Sequence, residues 1–92
     1  MVPIHPGRIL RRELEARSLS ANALSRALRV SSGRIVEILN GKRAISAETA
    51  LRLGRYFGND ALFWINLQAQ YDLAVAQRDI GERVEREVEV AA

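Results

Sequence analysis

Ser31, Ser32, Gly33, Arg34, Val36, Glu37, Asn40, Lys42 and Arg43 fall within one short stretch, and their types suit contact with phosphate oxygens and base edges. Hydroxyls beside the free amides of a helix start can hold a phosphate. Ser31 and Ser32 fit that role, and Ser32 can also reach a base or a sugar. Val36 offers a surface for a thymine methyl, and Glu37 an acceptor for a cytosine amino group. A second reading of Glu37 is a brace that orients Arg34 or Arg43 by an ion pair. Arg34 flanks the same side, within reach of a guanine or a phosphate. Lys42 and Arg43 read as phosphate clamps or as a solvated turn.

These residues act together only if one helix presents them on one face. At 100° per residue, Ile35, Ile38 and Leu39 cluster toward a core. Gly33, Glu37 and Asn40 then face away, with Val36 beside them and Ser32 in the first turn. Apart from Val36, the outward residues are small or polar, whereas an ordinary surface helix carries long Lys and Glu chains. Gly33 lets another molecule come close to the backbone. A preceding helix, capped by Ser20 and carrying Leu24, Ala27 and Leu28 inward, joins this one through Arg29-Val30-Ser31. Residues 20–40 therefore predict a helix-turn-helix whose second helix enters a major groove of double-stranded DNA.

The other elements are helical as well. Pro6 suits the first turn of a helix with Ile9, Leu10 and Leu14 on one stripe. Asn40-Gly41 ends the third helix, since both residues tolerate the left-handed conformation. Ser46 caps a fourth helix with Ala47, Ala50, Leu51, Gly54 and Phe57 inward, and Gly58 stops it. Asp60 caps a fifth and strongly apolar helix running to about Gln77, in which Phe63, Trp64 and Tyr71 read as core or dimer-interface residues. Beyond Gly81, Val84, Val88 and Val90 alternate with charges, so residues 83–90 read either as a strand pairing across a dimer or as a charged tail. The expected organisation is an all-α domain over residues 1–78, followed by an acidic tail or strand over 79–92.

Charge is distributed unevenly. Residues 1–58 carry eleven Arg or Lys against four acids, and residues 59–92 three against seven. The basic part suits a polyphosphate partner. The chain has no cysteine and a single histidine, His5, without a second ligand or nucleophile beside it. Neither a metal site, a cofactor nor an acid-base catalytic set is expected, and His5 reads as a helix cap or surface residue. The longest strongly apolar stretch, residues 61–71, is too short to span a bilayer, and no secretory signal is visible, so a cytoplasmic location is expected.

Seven stretches, in order, carry a resemblance to a known family. They are His5-Pro6-Gly7-Arg8-Ile9-Leu10, Leu24-Ser25-Arg26-Ala27-Leu28-Arg29-Val30, Arg34-Ile35-Val36-Glu37-Ile38, Asn40-Gly41-Lys42-Arg43, Ala47-Glu48-Thr49-Ala50-Leu51-Arg52-Leu53, Arg55-Tyr56-Phe57-Gly58 and Phe63-Trp64-Ile65-Asn66-Leu67-Gln68. Residues 4–78 resemble the HigA-type (VapI-like) antitoxins, a branch of the Cro/repressor-type helix-turn-helix proteins. The resemblance implies a five-helix fold, a homodimer, repression of the protein's own operon at a palindromic operator, and neutralisation of a RelE/HigB-like ribonuclease toxin. A stand-alone phage- or plasmid-type repressor without a toxin is the alternative. By position, Ser32, Gly33, Val36, Glu37 and Asn40 match the family's groove-facing slots, and Arg34, Lys42 and Arg43 its basic ones. Three residues depart from the pattern: Ala21 replaces a common glutamine, and Ser25 a small alanine, adding a hydroxyl that needs a partner. Arg29 replaces a turn glycine whose φ is normally positive, at a cost of about 1 kcal/mol.

Overall fold

Each helix starts at the residue whose side chain can cap it. In a computed structural model, which describes residues 2–91, the elements are α1 (Pro6–Ala16), α2 (Ala21–Leu28), α3 (Ser32–Leu39), α4 (Ala47–Phe57) and α5 (Ala61–Glu87). The Ser20 hydroxyl accepts from the Ala23 amide at 3.0 Å, Ser31 from Arg34 at 3.2 Å, and Ser46 from Thr49 at 3.2 Å. Asp60 Oδ1 accepts from Leu62 at 3.0 Å. Each such bond satisfies one otherwise free amide of a first turn and contributes roughly 1 kcal/mol. Gly41 and Gly58 both take φ +74° after their helices, the left-handed conformation that glycine adopts without strain.

Leu10, Leu14, Leu24, Leu28, Ile35, Ile38, Ile45, Ala50, Leu53 and Trp64 form the buried core. α1 meets α3 closely because position 7 has no side chain: a Cβ there would overlap the Ile38 carbonyl oxygen, a backbone atom with no room to move. Gln68 is the buried polar group that joins α5 to the α3–α4 connector. Its Oε1 accepts from the Ile45 amide at 2.8 Å, and its Nε2 donates to Asp72 Oδ1 at 3.0 Å, so burial leaves neither end unpaired.

Arg29 holds φ 59°, ψ 45°, the left-handed geometry expected for its slot, and Ser18 takes φ 51° in the α1–α2 turn. The Ser25 hydroxyl finds its partner in the Asn22 carbonyl at 2.7 Å. Several inward assignments need correction. Ala27, Ala47 and Leu51 are exposed, and α4 instead buries Thr49, Ala50, Leu53 and Gly54. That helix is turned about its axis relative to the expected stripe, because Gly54 lets the α4–α5 turn come within the space a Cβ would occupy. No strand occurs among the described residues. α5 continues past Gln77 through Gly81 to Glu87, so residues 83–87 are helical and the strand alternative fails there.

His5 caps α1, its Nδ1 accepting from the Gly7 amide at 2.9 Å, and its ring meets Tyr71 edge-on at 4.9 Å. Burial lowers its pKa from 6.5, against the opposing pulls of the Arg43 backbone and the Asp72 carboxylate. A lowered histidine pKa means the folded state favours the neutral ring. Its contribution is therefore present in full above pH 6.5 and is lost as pH falls from there through the folded-state value. Thermal melts between pH 8 and pH 5 should show a smaller acid-side loss for His5→Asn, since asparagine caps without titrating in that range. Parallel melting curves for both proteins would remove His5 as the cause.

Candidate nucleic-acid interface

The face of α3 opposite the core is open to solvent. Ile35 and Ile38 are fully buried, while Ser32, Gly33, Val36, Glu37 and Asn40 are exposed. Nothing lies within 4 Å of the position a Gly33 Cβ would take, so this stretch of backbone is accessible from outside. Val36 is 42% exposed, a lone aliphatic surface among polar neighbours. Ser31, whose hydroxyl is used on the Arg34 amide, sits at the helix start, where the remaining first-turn amides point outward and favour an anion.

The polar residues around this face are held by one another. Glu37 Oε1 accepts from Arg43 at 2.8 Å through Nε and lies 2.7 Å from Nη2. Of its two sequence readings, the free protein therefore adopts the brace, with Arg43 and not Arg34 as partner. Arg34 turns to α4, where Nη1 lies 3.3 Å from Glu48 Oε1. Glu48 also takes Arg52 Nη2 at 3.1 Å, and the hydrogen bonds from Arg52 first and Arg34 second hold its carboxyl below the usual range. Arg11 of α1 spans to the end of α3, its Nη2 3.4 Å from both the Leu39 carbonyl and Asn40 Oδ1.

The connector that carries Lys42 and Arg43 is fixed by backbone geometry. The Gly41 amide donates to Ile38 O at 3.1 Å and the Lys42 amide to Glu37 O at 2.8 Å, the paired closure of a glycine-ended helix. Both long cations are exposed beside the α3 face. Arg11 and Glu48 were missed by sequence reasoning. Their partners lie 14 to 29 residues away, and no local spacing signals such a contact.

A helix-turn-helix family model matches residues 10–64. The chain is 56% identical over 80 residues to virulence-associated protein I of Dichelobacter nodosus, an alignment covering 86% of this chain and 74% of that one. It also superposes with a TM-score of 0.96 on an addiction-module antidote protein of the HigA family from Coxiella burnetii, at 46% identity, covering 99% of this chain and all of the other. The chain belongs to the helix-turn-helix family, in its HigA-type, VapI-like branch. The HigA antitoxin of Pseudomonas aeruginosa, solved with the higBA promoter, is similar at 48% identity and a TM-score of 0.95, covering 99% and 100% of the two chains. In this HigA-type chain the two helices of the motif are α2 and α3, bracketed by the Ser20 and Asn40 caps. No helix among the described residues is long and apolar enough to cross a membrane.

Proposed function

We propose that this protein is an antitoxin that represses its own operon, reading operator DNA with α3. The carrying observation is that Gly33, Val36, Glu37 and Asn40 lie uncovered on the side of α3 opposite its fully buried isoleucines. In this reading Ser31, Ser32 and the first-turn amides of α3 hold a phosphate, and Val36, Glu37 and Asn40 meet base edges. Lys42 and Arg43 neutralise phosphates beside the helix, and Arg34 contributes positive potential from its place on Glu48. A homodimer presents two copies of α3 to half-sites one or two helical turns apart. The toxin is a RelE/HigB-like ribonuclease, and the acidic residues 79–92 suit a basic protein of that kind. Such a role places the protein in the cytoplasm.

Gly33→Ala separates close approach from mere exposure. A methyl group there meets nothing in the free protein, and alanine favours helix over glycine by up to about 1 kcal/mol, so thermal stability should hold or rise. Against a duplex from the protein's own promoter, fluorescence anisotropy should show affinity falling about tenfold, equivalent to about 1.4 kcal/mol. Unchanged affinity would mean that the α3 backbone does not approach the duplex. The toxin-free alternative is tested by co-purification with the product of the adjacent reading frame.

A further inference from the structure

Trp64, Gln68, Tyr71 and Asp72 share one face of α5, at helical spacing. The face begins apolar, with Trp64 against Phe57 of α4, and then turns polar. Gln68 is only 7% exposed, and glutamine is rarely so buried. Leucine or methionine would fill a similar volume. Neither would supply what Gln68 does, an acceptor 2.8 Å from the Ile45 amide, turned the right way because its own Nε2 donates to Asp72. Tyr71 meets the His5 ring, and that ring stands against the connector, with Cγ 3.8 Å from the position of a Gly41 Cβ.

These two contacts fall at the two ends of the segment that carries Lys42 and Arg43. At its start, Gly41 and Lys42 close onto α3 through their amides and Gly41 abuts His5. At its end, Ile45 is 2% exposed and its amide is held by Gln68. Lys42, Arg43 and Ala44 between them are exposed. A loop ordered before it meets a duplex does not lose its freedom there, and its cations start from the geometry the phosphates require. Gln68 is buried in α5 and cannot itself touch DNA, so any effect it has on binding passes through the connector.

We propose that Gln68, oriented by Asp72, is a positioning residue for DNA binding. By holding the Ile45 amide it sets Lys42 and Arg43 relative to α3, while Tyr71 braces the other end of the connector through His5. The proposal rests on the reading of Lys42 and Arg43 as phosphate clamps. A role confined to joining α5 to the fold would lower stability, but the loss of affinity would then not depend on those two cations.

Gln68→Leu keeps the volume and removes both hydrogen bonds. Anisotropy on the own-promoter duplex, at low salt and at a temperature where circular dichroism shows every variant folded, should give a loss of about tenfold. In a chain already carrying Lys42→Ala and Arg43→Ala the same substitution should cost less than about twofold, since no cation is left to place. A second arm exchanges donor and acceptor. Gln68→Glu sets a carboxylate against Asp72 and should also weaken binding. Adding Asp72→Asn restores both bonds in reverse, at the wild-type net charge, and should bring affinity back to within about twofold of wild type. Equal losses from Gln68→Leu with and without the two cations would make Gln68 purely structural and overturn the proposal. So would a Gln68→Glu, Asp72→Asn chain that binds no better than Gln68→Glu. Wild-type affinity in the Lys42→Ala, Arg43→Ala chain would defeat the clamp reading, and the proposal with it. If that chain binds weakly while Gln68→Leu binds as wild type does, the clamps stand and only their positioning by Gln68 fails.

Discussion

Replacing Trp64 with alanine is expected to cost about 3–5 kcal/mol of folding stability. The indole is fully buried, lies 5.8 Å from the Phe57 ring and 5.1 Å from Phe63, and donates through Nε1 to Asn59 Oδ1 at 3.0 Å. It therefore fixes α5 on α4 in both packing and direction. Its removal leaves a cavity that Phe57 and Ile65 cannot collapse to fill, because Gly54 already holds the α4–α5 turn tight. For a domain of this size the whole margin is about 5–15 kcal/mol, and each kcal/mol is worth roughly 4–8 °C in melting temperature. Urea titration should show the midpoint falling with an unchanged slope, and Trp64→Phe should recover part of the loss. A cost below about 1 kcal/mol would show that α4 and α5 are held by something other than this ring.

The starts of all five helices were legible because their signals are local. Ser20, Ser31, Ser46 and Asp60 each cap the helix that follows, and His5, read as a cap or surface residue, caps α1. α5 shows how a local signal can mislead. Alternation of Val84, Val88 and Val90 fits a strand, yet Leu73, Ile80 and Val84 also lie at helical spacing. The helix prevails across Gly81, where Gln77 folds over the missing side chain and Arg83 pairs with Glu87 one turn on at 3.7 Å. Leu51 misled in another way: periodicity fixes a stripe but not its phase, and the close turn at Gly54 sets the phase.

The candidate site follows the same division. Its nine residues lie in one window, so their type and helical face could be read directly. Their partners could not, since Arg11, Glu48 and His5 reach them from other elements. The Glu37–Arg43 pair spans the glycine closure at Gly41, which brings a residue of α3 back onto a cation six positions later.

That pair bears on the second large expected effect. Glu37 and Arg43 are about half exposed, and exposed ion pairs contribute only about 0–1 kcal/mol, so separating them on DNA costs little. Once released, Glu37 can accept from a cytosine amino group, a contact worth about 1–3 kcal/mol against the wrong base, while Arg43 moves to a phosphate. Glu37→Ala should therefore relax preference at one base pair per half-site by up to about a hundredfold, with little change on non-specific DNA. Lys42→Ala should weaken every sequence alike and lower the magnitude of the salt slope by about two, because it removes one phosphate contact from each of the two protomers without touching a base. Both are measured by anisotropy against a set of single-substituted operators at several salt concentrations. If Glu37→Ala instead costs the same on every duplex, and the double variant with Arg43→Ala costs no more than Arg43→Ala alone, Glu37 acts only by holding Arg43. Base reading would then rest on the other exposed residues of the face, among them Val36 and Asn40, whose Oδ1 Arg11 of α1 already meets at 3.4 Å.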